Sequence, residues 1–149
     1  MSVLKNDRGE SSAEFLNMAD TIEVYTISQC SKIPRRFLHT LTNKIINLSI
    51  ECHCNLKSAN SIYPRNKHEA QMRRDLLQMA VNNIENMGTQ IHILSRVTDK
   101  ISFESLETWS TMLMTELKLI RGLMRKDAER YNNWRHGPCA LKLTDGTSG

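Results

Sequence analysis

The chain has 149 residues, with 20 Lys and Arg against 16 Asp and Glu, for a formal charge of +4. That length supports one domain whose core needs neither metal nor disulfide, while 5% aromatic residues, three Pro and six Gly weigh against a barrel, a sandwich or a loop-rich fold. No apolar run approaches the ~20 residues that span a bilayer, residues 1–15 lack a signal peptide's apolar segment, and four cysteines in a chain this long make no disulfide framework, so the expectation is a cytoplasmic, all-α protein without membrane contact.

Residues 1–10 are polar and are expected to be a disordered N-terminus. Ser11-Ser12-Ala13-Glu14 has the form of a capping box, in which a hydroxyl takes an amide of the first turn and the Glu reaches back. Phe15, Met18, Ile22 and Tyr25 then follow on one helical face. Pro34 interrupts this segment after about Lys32, because proline disfavours helix in the residue before it.

A second helix is predicted from about Arg36 to Ser61, with Leu38, Leu41, Ile45, Leu48, Cys52, Leu56 and Ala59 on its apolar stripe. The third runs from about Asn66 to Thr98 on Leu77, Ala80, Ile84, Met87, Ile91 and Leu94. Gly88 inside it costs about 1 kcal/mol relative to Ala and suggests a close helix crossing. Ser102 is the expected N-cap of the fourth, which carries Leu106, Trp109, Leu113, Leu117, Ile120 and Met124 and fades near Tyr131. Met72, Met79, Met87, Met112, Met114 and Met124 are read as core filling. Residues 132–149 have no helical period and are expected to be a tail, anchored by Trp134 or Leu141. Short connections between amphipathic helices predict an up-down-up-down antiparallel four-helix bundle over residues 11–131. Its last two helices, at ~30 residues, would be about 45 Å long. Such length offers surface to partners or to further copies of the chain.

The sequence holds no P-loop, dinucleotide fingerprint, GxSxG, HExxH or Glu-x-x-His pair, so no catalytic residue and no cofactor is assigned. Cys52-His53-Cys54 is the strongest metal candidate. Residues i and i+2 point roughly 200° apart on a helix, however, so the two thiols cannot readily share an ion. Cys52 is read instead as a small buried hydrophobe, and His39, His68, His92 and His136 as solvated.

Charge is more informative. Residues 1–30 carry a net −3 and the remainder +7. Lys32, Arg35 and Arg36 flank the turn around Pro34, Arg73-Arg74 lies on the third helix, and Lys118, Arg121 and Arg125 step by three and four along the fourth. The last three form one cationic stripe, read as a phosphate-backbone contact ahead of an ordinary solvated face. No interleaved aromatic residues point to base stacking, so binding is expected to be mostly electrostatic.

Three local features go further. The Ile33-Pro34-Arg35-Arg36-Phe37 turn, the joint from Arg96 to Ser102 with Asp99 inside it, and Ile120-Arg121-Gly122-Leu123 on the fourth helix occur in this order within residues 15–130. In them the chain resembles the four-helix-bundle family of the accessory variability determinant of diversity-generating retroelements, which also includes proteins encoded in intervening sequences of 23S rRNA genes. The resemblance implies a homopentameric ring or barrel. It implies a non-catalytic accessory subunit that binds a reverse transcriptase and its structured template RNA and supports mutagenic cDNA synthesis. Carried over by position, Arg35, Arg36, Arg73, Arg74, Arg96, Lys118, Arg121 and Arg125 become candidates for contacting RNA or polymerase. Two alternatives stand beside it: a protein–protein scaffold or intervening-sequence protein with no reverse-transcriptase role, and a metal protein resting on Cys52, His53 and Cys54.

Overall fold

The computed structural model describes residues 2–131, with side chains from residue 14 onward. The described residues form four α-helices and no strand: α1 (Ser2–Cys30), α2 (Asn43–Ser61), α3 (Lys67–Val97) and α4 (Phe103–Arg130). Helix α1 packs against α2 and α4, and α3 packs against α2 and α4. The expected tail, with Trp134, His136, Cys139 and Leu141, lies outside the described residues.

The helix boundaries follow the local chemistry. Asn66 caps α3 by accepting the Glu69 amide at 2.9 Å, and Glu69 reaches back to the Arg65 amide at 2.8 Å. That backbone hydrogen bond, with the Arg65 guanidinium beside it, holds the Glu69 carboxyl below its usual range. Ser102 caps α4 by accepting the Ser105 amide at 3.1 Å. Pro34 adopts φ −55° and ψ 140° and breaks the chain as expected. The turn after it is irregular. A 3₁₀ turn over Arg35–Phe37 leads to a π-helical turn over Leu38–Thr42, and the Thr42 hydroxyl donates to the Phe37 carbonyl at 3.0 Å. The second helix therefore becomes regular only at Asn43, seven residues after the predicted start at Arg36.

The first helix also differs from expectation. It begins at Ser2, so Ser11–Glu14 lies within α1 and marks no helix start. A capping box is a local preference of about 1 kcal/mol, and residues 1–14 contain no proline to stop the helix from passing through.

The core is built from the predicted stripes. Phe15 and Ile22 of α1 meet Ile45, Cys52, Leu56 and Ala59 of α2 in one buried cluster. The six α3 positions, together with Trp109, Leu113 and Ile120 of α4, complete it. Trp109 is fully buried, and its indole N–H donates to the Thr26 hydroxyl at 3.1 Å. Its ring meets Tyr25 edge-on at 6.2 Å. Cys52 is buried and donates weakly from Sγ to the Ala80 carbonyl at 3.7 Å. Burial, with the Glu116 carboxyl second, pushes its thiol up to about 12.

Two packing expectations are corrected. Met87 is buried and Met112 and Met124 pack against the core, but Met72, Met79 and Met114 are exposed. Met72 and Met79 sit one residue out of phase with the inward positions Arg73 and Ala80. Gly88 marks no close crossing, because a Cβ built on it meets no atom within 4 Å.

Two buried polar features were not anticipated. Arg73 and Asp127 form an ion pair between α3 and α4, with Nε to Oδ2 at 2.6 Å and Nη2 to Oδ1 at 3.4 Å. Arg73 Nη1 also donates to the carbonyls of Ala59 and Ile62 at the end of α2. Glu116 is 0% exposed, and neither carboxyl oxygen has a hydrogen-bond partner among the described residues. Burial, with the Glu14 carboxylate second, pushes its pKa up from 4.5 to about 8.

Three outcomes follow. Gly88→Ala should raise stability by about 1 kcal/mol in urea titration, since the methyl enters open space and the backbone loses freedom only in the unfolded chain. Asp127→Ala should cost about 3–5 kcal/mol by leaving a buried guanidinium without its counter-ion, and Arg73→Met with Asp127→Leu should recover most of that. The folded Glu116 carboxyl binds its proton more tightly than the unfolded one, so its contribution falls as pH rises from about 4.5 to about 8. Glu116→Gln should therefore unfold at nearly the wild-type Tm at pH 5 and above it at pH 8. A pH-independent gap between the two proteins would show that Glu116 titrates normally.

Candidate nucleic-acid interface

A groove of about 400 Å³ runs between α3 and α4. Lys67 and Arg74 rise from one wall, Arg121 and Arg125 from the other. Leu77, Val81 and Met124 contribute apolar surface between them. Helical spacing explains the gathering. Lys67, Arg74, Val81 and Glu85 recur at multiples close to 3.6 along α3, as Arg121, Arg125 and Ala128 do along α4.

The groove's two carboxylates are engaged. Asp127 is bound to Arg73. Glu85 Oε1 accepts from Arg121 Nη2 at 3.1 Å, with both side chains more than half exposed. Such an exposed pair contributes only ~0–1 kcal/mol, so a phosphate can replace Glu85 at little cost. Arg74 and Arg125 are exposed and pair with no described carboxylate.

A second concavity, about 660 Å³ and more open, lies where the α1–α2 and α3–α4 connections meet. It brings Arg36 and Arg96 together and adds Lys100, against the acid Asp99. The Arg36 guanidinium stands 4.9 Å from the centre of the Phe37 ring.

The eight candidate residues thus separate. Arg74, Arg121 and Arg125 share the α3–α4 groove, and Arg36 and Arg96 share the bundle end. Arg35 and Lys118 are exposed but line neither. Arg73 is corrected: at 8% exposure, with its guanidinium committed to Asp127 and two carbonyls, it is a structural cation and does not face a partner. Lys67, Lys100 and Phe103 were missed as lining residues.

The Cys-His-Cys run divides across its helix, as its spacing requires. Cys52 is buried and Cys54 exposed. His53 Nδ1 lies 3.2 Å from Glu23 Oε2, joining α2 to α1. No described helix is long and apolar enough to cross a membrane. Compared with known protein families, with curated proteins and with solved structures, the chain finds no match.

Proposed function

We propose that this protein is a non-catalytic, cytoplasmic accessory subunit that binds structured RNA through the α3–α4 groove and works with a reverse transcriptase. The observation that carries the reading is the convergence of Lys67, Arg74, Arg121 and Arg125 on one groove whose acids are already paired. Cations spaced along two packed helices can follow a phosphate backbone and release its counter-ions, giving affinity without base readout. The polymerase partner and the role in mutagenic cDNA synthesis rest on the local resemblances around Pro34, Arg96–Ser102 and Ile120–Leu123.

An up-down-up-down antiparallel topology belongs to the same proposal. It is supported by cross-helix pairs whose order reverses. On α2 and α3, Cys52 meets Ala80 and Ala59 meets Arg73. On α3 and α4, Arg73 meets Asp127 and Glu85 meets Arg121.

Assembly into a five-chain ring or barrel would raise +4 per chain to about +20 and add avidity without new contacts. Exposed apolar residues such as Val24, Ile27 and Met114 are available for contacts between copies. The same residues are what favours the second reading, a protein–protein scaffold with no RNA role.

Arg121→Glu with Arg125→Glu should abolish retention of a structured RNA in a gel-shift assay at moderate salt while leaving the mass on a sizing column unchanged. Unchanged retention would remove RNA binding from the α3–α4 groove.

A further inference from the structure

The bundle end differs in chemistry from the α3–α4 groove. Its concavity is lined by Arg36 from the first connection and by Arg96 and Lys100 from the second. None of the three pairs with a described carboxylate. Phe103 stands at its mouth, 81% exposed, beside the half-exposed Val97. In a chain with only three Phe, a ring left this open on a cationic surface has no packing explanation among the described residues.

The volume falls within the ~300–1,000 Å³ typical of small-ligand sites, which is room for a nucleotide. A flat, accessible ring offers a stacking face to any base, and three cations without a carboxylate partner, against the one acid Asp99, offer partners to the flanking phosphates. The ring can use that face only with an unstacked base, since a duplex keeps its bases stacked on one another.

We infer that the bundle end is a second RNA contact, selective for unpaired nucleotides: Phe103 stacks one base while Arg36, Arg96 and Lys100 hold the adjoining phosphates. The inference rests on the RNA-binding reading above and adds a site to it. In that arrangement the α3–α4 groove takes the backbone of a structured region, and the bundle end takes a loop or a single-stranded end.

Fluorescence anisotropy with a labelled single-stranded oligoribonucleotide and a labelled RNA duplex tests it on the full chain. Phe103→Ala should weaken single-strand binding by about tenfold, the scale of one lost stacking contact, and leave duplex binding unchanged. Phe103→Tyr should retain the wild-type preference. Arg36→Glu with Arg96→Glu should weaken the single strand more than the duplex, and Arg121→Glu with Arg125→Glu should do the reverse. Single-strand affinity unchanged in Phe103→Ala overturns the bundle-end site and leaves the groove reading standing. The same result with an altered mass on a sizing column would assign Phe103 to a contact between copies. Wild-type protein that binds neither probe at low salt overturns both readings.

Discussion

The ion pair between Arg73 and Asp127 is the constraint on which the basic surface depends. It joins α3 to α4, and Arg73 also reaches the last carbonyls of α2, so one guanidinium fixes three helices. The pair lies nearly out of water, where losing one partner costs far more than forming the pair contributes. Its position sets the groove. With Arg73 turned inward, the next residue stands about 100° around the helix, and Arg74 faces the groove. With Asp127 turned inward, Arg121 and Arg125 stand on the opposite wall. The inward pair and the outward cations are therefore one arrangement, and loosening the first would misplace the second.

Most of the fold was legible in the periodicity. Leu77, Ala80, Ile84, Met87, Ile91 and Leu94 are all buried, as their spacing requires. The cap at Ser102 and the break at Pro34 follow from side-chain chemistry alone. The three buried charged residues share one origin, since each is a polar residue in phase with an apolar stripe. Arg73 lies four residues before Leu77, Asp127 three after Met124, and Glu116 between Leu113 and Ile120 at steps of three and four. Continuing each stripe through its charged positions would have placed all three inside and would have matched Arg73 with an acid. The capping box at Ser11–Glu14 misled because a cap signal is weak beside the cooperativity of a helix with nothing to stop it.

The site was legible only where it lies along single helices. The Lys118, Arg121 and Arg125 stripe was visible from spacing, although Lys118 lies outside the groove, and Arg74 was named on α3 only together with the buried Arg73. That α3 and α4 would set these cations facing each other depends on tertiary packing. The bundle end was further out of reach, because Arg36 and Phe103 are distant in sequence and meet only when two connections close together. Exposure of Phe103 was equally hidden, since a Phe just after an N-cap reads as readily as a core residue.

In the proposed function, RNA affinity comes from charge concentrated by helix packing and multiplied by assembly. Light scattering on a sizing column, with and without a structured RNA at low and high salt, tests this most directly. The account predicts a mass near five chains that rises with RNA at low salt and returns to the protein-only value at high salt, because phosphate contacts are lost as counter-ions return. A mass of one or two chains that ignores RNA at every salt concentration would contradict it.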